Sequence, residues 1–151
     1  MQAQAAAVRD SAQQYRAEIA AAATGVQPTG GDVNAQIDYL LRYATEYNLA
    51  EWGDYNPSGG DCVNFTSQGL LARGWQMDRT WSSTGPGGAS TTWILTSAME
   101  RYLQSAVFRS YGADDLDRVR VGDVGIFDWG ETAFSTDHTM TVSKIEYNVD
   151  G

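Results

Sequence analysis

The sequence is poor in the side chains that bind metals through sulfur or imidazole: it has one cysteine and one histidine in 151 residues. One cysteine excludes an internal disulfide bond and a zinc cage made of cysteines, and one histidine excludes the metal motifs that need two. We therefore expect no metal site and no cofactor. The two residues, Cys62 and His138, are the smallest set that thiol catalysis requires.

Basic residues and long apolar runs are also scarce. The chain has 10 Lys and Arg against 19 Asp and Glu, a net charge of −9, which argues against binding to the phosphate backbone of nucleic acids. No run approaches about 18 consecutive apolar residues, so no membrane span is expected. The first residues lack the charged start and leucine-rich segment of a secretory signal. A hydrophobic content of 42% is enough for one packed domain.

The pattern along the chain predicts a leading segment, a linker and a main domain. Residues 1–24 are rich in alanine and predict an amphipathic helix with a weak apolar face. Residues 25–31 contain proline and glycines and predict a linker. The main domain is expected over residues 32–151.

Apolar spacing and capping signals predict three helices in the main domain. The first runs from 33 to about 49 and the third from about 91 to 110. Between them, the turn-rich segment 53–60 is followed by Asp61 in the position of an N-cap. The second helix therefore starts at the cysteine and covers 62–72.

Near the C-terminus the apolar period changes to two, which is typical of strands. Alternation predicts one strand within 123–129 and another over 138–142. In the second strand, His138 shares a face with Met140, and we expect this face to point toward the helices. Thr139 is then expected to point away from them.

The predicted position of Cys62 favours nucleophilic chemistry. A helix N-terminus is one of the common devices that lower the pKa of a cysteine from about 8.5. The N–H groups of the first turn lack helical partners, so the Cys62 N–H can donate to the oxyanion of a tetrahedral intermediate. His138 would take the thiol proton and return it to the leaving amine. The alternative is that the cysteine and an inward histidine are both packed core residues.

The sequence also resembles a known family. Residues 59–68 read GGDCVNFTSQ and resemble the GGDC-x-NF-x-SQ signature of the putative amidase domain family, a branch of the papain-like NlpC and CHAP cysteine hydrolases. Residues 122–129 resemble its strand with the FDW ending, and 137–142 resemble its strand that begins with Asp-His. The resemblance implies an amide or peptide hydrolase with Cys62 as nucleophile and His138 as base.

The resemblance implies an α+β papain-like fold, with helices packed on a small antiparallel sheet. It also implies peptidoglycan stem peptides as the usual substrates, and a secreted or cell-envelope protein. In these relatives a third polar residue, on the strand after the histidine strand, orients the imidazole. This chain ends on Asp-Gly at 150–151, so we expect C-terminal strands to be missing or supplied by a partner chain. Asp128 and Asp137 are the local candidates for the orienting residue.

Further candidates surround the nucleophile or lie in the long loop that follows its helix. The residues proposed to line the site or to stabilise the oxyanion are Tyr55, Asp61, Asn64 and Gln68. A packed loop aromatic is the alternative for Tyr55, and packing or surface roles are the alternative for Asn64 and Gln68. Trp75 and Trp81 are candidates for the walls of a substrate groove, although core packing is the default for tryptophan and is favoured for Trp93.

Two functions remain at this point. The first is cysteine-dependent hydrolysis of an amide through a thioester. The second is a binding or assembly module that keeps the fold without the catalysis, which the expected lack of C-terminal strands and the alanine-rich leading segment favour. An acidic run at 114–117 lacks the ligand pattern of a calcium loop, and a solvated loop is the better interpretation.

Overall fold

The computed structural model describes residues 30–58, 60–106, 108–130 and 136–147. The predicted leading helix and nearly all of the predicted linker lie outside these residues. In chain order the elements are α1 (Val33–Arg42), α2 (Leu49–Trp52), α3 (Cys62–Ala72), α4 (Thr91–Ile94), α5 (Thr96–Ser105), β1 (Val124–Phe127) and β2 (His138–Thr141), with 3₁₀ turns at Asn56–Ser58 and Ala113–Arg118. The described part is α+β, with helices packed on a two-stranded antiparallel sheet, as predicted.

The helix predicted over 33–49 is shorter than expected. Asp32 caps it, because its carboxylate accepts the Ala35 N–H at 2.9 Å. The helix ends at Arg42, with Tyr43 as its C-cap. The prediction extended the helix to about residue 49 because Leu49 is also helical. Leu49 belongs to a second, separate helix, α2.

The helix predicted over about 91–110 is in fact two helices. Leu95 between them has extended backbone angles, φ −117° and ψ 126°, and its side chain is exposed. The break allows Trp93 at the end of α4 and Met99 in α5 both to be fully buried. On one continuous helix these two side chains, six residues apart, would lie about 120° apart around the axis.

The central helix α3 has the predicted bounds, and it occupies the middle of the structure. Seven of its 11 residues are buried. Gly69 faces α1, where an added Cβ would lie 2.9 Å from the Leu40 side chain. The close approach of α1 and α3 therefore depends on glycine at this position. Gly74, with φ of +103°, follows the end of the helix, where a left-handed glycine is common.

Tryptophan side chains form most of the core. Trp52 stacks on Trp93 with ring centroids 5.3 Å apart, and Trp93 stacks on Trp81 at 4.8 Å. Trp75 meets the edge of Trp81 at 5.8 Å. Burial of each large aromatic contributes strongly to stability, so this row accounts for much of the core. The core position predicted for Trp93 is confirmed.

A buried arginine joins the end of α3 to the start of β1. The Arg73 guanidinium donates from Nε to Gly30 O at 2.9 Å and from Nη1 to Gln36 Oε1 and Gly122 O, both at 3.1 Å. Burial raises the pKa of the nearby Asp123 carboxyl, although hydrogen bonding and the Arg73 charge act in the opposite direction. The hydrogen bond of Arg73 to Gly122 O fixes the backbone just before strand β1.

Strands β1 and β2 pair with the register Val124↔Thr141, Gly125↔Met140, Ile126↔Thr139 and Phe127↔His138. The predicted inward face of β2 is wrong. Thr139 is only 3% exposed, and its hydroxyl oxygen lies 3.1 Å from that of Thr66 on α3, whereas Met140 is 46% exposed. Since side chains alternate along a strand, Thr139 points toward α3, and His138 lies on the opposite face with Met140.

The described residues contain no helix that is long and apolar enough to cross a membrane. The strands that a partner chain was expected to add to the sheet remain a prediction.

A carboxylate in the long loop after α3 makes one contribution to stability depend on pH. The Asp78 carboxylate accepts hydrogen bonds from Thr80 N–H, Trp81 N–H and Tyr102 Oη at 2.7, 2.8 and 2.8 Å. Burial raises the pKa of the Asp78 carboxyl, but these hydrogen bonds outweigh burial and hold its pKa below the ordinary 3.8. Burial and then the Asp78 hydrogen bond raise the pKa of Tyr102 to about 12.

We expect Asp78→Asn to be less stable than the parent at neutral pH, with a difference that shrinks in acid. The folded-state pKa is depressed, so this stability is present above 3.8 and is lost as the pH falls through the folded-state pKa. Urea unfolding at about pH 7 and about pH 3 measures it. Asp38→Asn, at an exposed position on α1, is the matched control. A difference that stayed constant with pH would contradict this account.

Candidate active site

Cys62 is the first residue of α3, as predicted, and it is a half-buried free thiol that packs against the core. Asp61 is the N-cap residue, but its side chain makes no capping hydrogen bond to the helix. The positive end of the helix dipole therefore lies beside the cysteine with no carboxylate cap over it. This arrangement favours the negative charge of an oxyanion at the start of the helix.

The Asp61 side chain instead organises the segment that precedes the cysteine. It is 5% exposed, and its Oδ1 accepts the Tyr55 N–H and the Asn64 Nδ2, both at 3.0 Å. These bonds connect the loop before Cys62 to the first turn of α3. Asp61 thus fixes the position of the loop relative to the helix that carries Cys62.

Two atoms around this loop are buried and have no hydrogen-bond partner among the described residues: Tyr55 Oη and Asp61 Oδ2. A buried polar atom without a partner costs about 1–3 kcal/mol, so such atoms commonly mark a place where water or a ligand binds. The Tyr55 hydroxyl remains available as the donor predicted for the oxyanion.

Asn64 is fully buried and joins three parts of the structure. Its Nδ2 donates to Asp61 Oδ1, with a longer contact of 3.5 Å to Gly53 O, and its Oδ1 accepts Trp93 Nε1 at 2.8 Å. Both ends of the amide are therefore used within the protein. The packing alternative, and not contact with a substrate, describes this residue.

Gln68 is also buried in the protein. It is 4% exposed, and its Oε1 accepts the Tyr39 hydroxyl of α1 at 2.9 Å. The side chain connects α3 to α1, so the packing alternative holds here too.

The structure places the candidate groove residues in the core. Trp81 is fully buried, and its Nε1 donates to Ser67 Oγ at 3.0 Å. Trp75 is 6% exposed and stacks on Phe108 with centroids 4.9 Å apart. The prediction of Trp75 and Trp81 as groove walls is wrong, because side chains buried in the core have no face left for a substrate.

His138 opens β2 and is half-buried. Its imidazole stacks on the indole of Trp129, with ring centroids 4.8 Å apart and an interplanar angle of 21°. Sequence reasoning missed this contact. The available signal was the parity of the paired strands: Phe127 lies opposite His138, and Trp129 follows Phe127 by two residues.

The two candidate orienting carboxylates hold the turn that follows β1. Asp137 Oδ2 accepts the Trp129 N–H at 2.9 Å, and Asp137 N–H donates to Phe127 O at 2.8 Å. Asp128 Oδ1 accepts the Gly130 N–H, also at 2.9 Å. Asp137 therefore acts on the backbone of the residue that stacks on His138.

The structure brings the elements of the candidate pair together. Helix α3 packs on β2, and Thr66, one turn after Cys62, contacts Thr139, the neighbour of His138. No hydrogen bond between Cys62 and His138 is found in the described part of the chain. The thiol and the imidazole thus lie on adjoining elements without a hydrogen bond between them.

The acidic run lies apart from these residues, in the 3₁₀ turn Ala113–Arg118, where Asp115 pairs with Arg118 at 3.5 Å. Among the residues that the structure describes, no group of three or more His, Cys, Asp or Glu side chains could hold a metal ion.

A family model described as a putative amidase domain matches residues 31–151, which is most of the chain and all of the predicted main domain. No curated protein and no solved structure matches the chain significantly.

Proposed function

Since the chain belongs to the putative amidase domain family, we propose that it hydrolyses an amide bond through a covalent thioester on Cys62. The family indicates amide hydrolysis in general, and the cysteine mechanism is our proposal. The observation that carries it is the free, half-buried thiol at the first position of an 11-residue helix whose N-cap carboxylate is turned toward the preceding loop. A thiol in this environment is well placed to act as a nucleophile.

The proposed reaction has two halves. Cys62 Sγ attacks the carbonyl carbon while His138 takes the thiol proton, and the tetrahedral intermediate then loses an amine that leaves with that proton. Water next attacks the thioester with His138 as base. The C–S bond breaks, a carboxylic acid is released, and the thiol is restored.

The negative oxygen of the intermediate needs donors. Two are proposed: the Cys62 N–H, which as a first-turn N–H has no helical partner, and the Tyr55 hydroxyl, whose oxygen is buried without a partner among the described residues. A donor that is already desolvated and oriented is worth more to the transition state than one in water.

The proton transfer requires the His138 imidazole to reach the Cys62 thiol, to which no hydrogen bond joins it in the described part of the chain. The packing of α3 on β2 keeps the two residues on adjoining elements. Because alternation puts the His138 side chain on the face of β2 opposite α3, the assignment of His138 as the base requires this side chain to turn toward the thiol.

For the substrate we propose peptide bonds of peptidoglycan, which places the protein at the cell envelope or outside the cell. The resemblance of the three sequence motifs to papain-like NlpC and CHAP hydrolases supports this choice. The test is incubation of the chain with purified peptidoglycan and with its soluble disaccharide-peptide fragments. New amino groups and the mass of the cleaved peptides report the activity. Cleavage of simple amides without cleavage of these fragments would refute the substrate class and leave the amidase reaction standing.

A second candidate function is a binding or assembly module on the same fold. It is favoured by the position of His138 on the face of the sheet opposite α3, and by the missing hydrogen bond to Cys62 within the described residues. The two candidates differ in what they require of the thiol, since only catalysis needs a reactive one.

Iodoacetamide labelling separates the two candidates. We expect Cys62 to be alkylated faster in the folded chain than in the urea-unfolded chain at about pH 6, below the ordinary pKa of cysteine. The proposed mechanism requires a reactive thiol in the folded chain, and unfolding removes the helix at whose start this thiol lies. Because the sequence has one cysteine, the mass of the intact chain counts the reaction directly. Slower alkylation of the folded chain is the result for a packed core thiol and would favour the binding module.

A further inference from the structure

The imidazole of His138 is held by an aromatic ring. The indole of Trp129 lies nearly parallel to it, with centroids 4.8 Å apart, and the centroid of the Phe127 ring is 6.0 Å from that of Trp129. Stacking covers one face of the imidazole. Both ring nitrogens lie in the ring plane, so a stack of this kind leaves them available for proton transfer.

The stacking residue is itself fixed by the chain next to the histidine. Asp137 precedes His138, and its Oδ2 accepts the Trp129 N–H at 2.9 Å. The Asp137 N–H bonds to Phe127 O at 2.8 Å. These two bonds set the distance between the backbones that carry the indole and the imidazole. The ring contact is therefore built into the paired ends of the two strands.

We propose that Trp129 is the positioning residue of His138. The indole fixes the plane of the imidazole, which is the task that a third polar residue performs in a catalytic triad. Its electron-rich face also attracts the imidazolium that forms when His138 takes the thiol proton. Asp137 acts one step further away, by holding the Trp129 backbone. The consequence for catalysis rests on the proposed function of Cys62 and His138.

Two substitutions at Trp129 separate the effect of the aromatic face from the effect of the side-chain volume. Trp129→Phe keeps an aromatic face, and Trp129→Leu keeps only apolar volume. We expect Trp129→Leu to lower kcat by about 10-fold to 100-fold with KM unchanged, because a mispositioned catalytic group costs rate and not substrate affinity. Trp129→Phe should restore most of the rate. Tyr147→Leu, at a position that is 71% exposed, is the control for loss of an exposed aromatic.

A second readout does not depend on activity. The chain has one histidine, so its imidazole C–H signals in the NMR spectrum need no assignment. The indole ring current shifts these signals in the parent, and NOEs connect the two rings. We expect both features to disappear in Trp129→Leu, to survive in part in Trp129→Phe, and to be unchanged in Tyr147→Leu.

The outcomes distinguish this proposal from the proposed function. Parent NMR spectra without the ring-current shift or the NOEs would overturn the stacking, whatever the enzyme does. Stacking present in the parent with full kcat in Trp129→Leu would overturn the positioning and leave the thioester mechanism intact. A rise in KM at constant kcat would make Trp129 a substrate contact instead. A parent chain that shows the stacking and cleaves no amide refutes the proposed function while the structural part of this proposal stands.

Discussion

Cys62→Ala is expected to lower the rate of amide hydrolysis by about 10³-fold or more and to leave the fold intact. The substitution removes only Sγ, the atom that forms the thioester, so no covalent intermediate can form. Because the thiol is half-buried at the start of α3 and has no described hydrogen bond, its loss should change the stability by about 1 kcal/mol or less. The measurement is amine release from peptidoglycan fragments, with urea unfolding of the same sample.

Three further variants give this experiment its controls. Ser58→Ala removes one exposed hydroxyl from the turn before the helix and should retain the parent rate. Tyr55→Phe removes the proposed oxyanion donor and should lower kcat by about 10²-fold. His138→Ala should lower it by a factor in the range of about 10² to 10⁴.

The activities of these variants can contradict the proposed mechanism in two separate ways. Full activity in Cys62→Ala would eliminate the thioester mechanism. Loss of activity in Cys62→Ala together with full activity in His138→Ala would keep the nucleophile and reject the base. The His138 variant is a direct test of the base, because the structure places the imidazole on the sheet face opposite α3.

The nucleophile helix could be predicted from the sequence because its signals are local. A turn-rich approach, an aspartate at the N-cap position and a glycine after the last turn specify both ends of α3, and all three signals lie within residues 53–74. The strands β1 and β2 were found for the same reason, since alternation is visible within four or five residues. The family was recognised because three such local motifs occur in order.

The face of β2 could not be predicted in this way. Alternation defines two faces and does not say which one meets a helix. We expected the apolar Met140 to point inward, but Thr139 does so because its hydroxyl meets the hydroxyl of Thr66 on α3. That partner lies 73 residues away in sequence. A buried pair of hydroxyls has no signature in either segment alone.

The tryptophans illustrate a related limit. Trp75 and Trp81 lie in a loop segment without a helical or strand period, so only the general tendency of tryptophan to pack in the core indicated their burial. They are buried because the loop folds over α3, where Trp81 Nε1 donates to Ser67 Oγ. The loop supplies core residues, although both tryptophans were candidates for groove walls.

Asn64→Leu is expected to lower the free energy of unfolding by about 2–4 kcal/mol. The amide is fully buried and donates to Asp61 Oδ1 while it accepts Trp93 Nε1. Leucine has a similar volume and no polar atoms, so it leaves the Trp93 N–H buried without a partner and removes one of the two bonds to Asp61 Oδ1. Urea unfolding followed by tryptophan fluorescence measures the loss.

This prediction also separates a structural asparagine from a catalytic one. Asn34→Leu makes the same chemical change at an exposed position on α1 and should shift the stability by no more than about 0.5 kcal/mol. If Asn64 only supports the site, the folded fraction of Asn64→Leu keeps its KM, and its kcat falls far less than that of Cys62→Ala. A variant that is as stable as the parent but inactive would contradict the hydrogen-bonded arrangement. In that case the amide would act on catalysis itself, through the substrate or through the residues beside Cys62, and not through the stability of the fold.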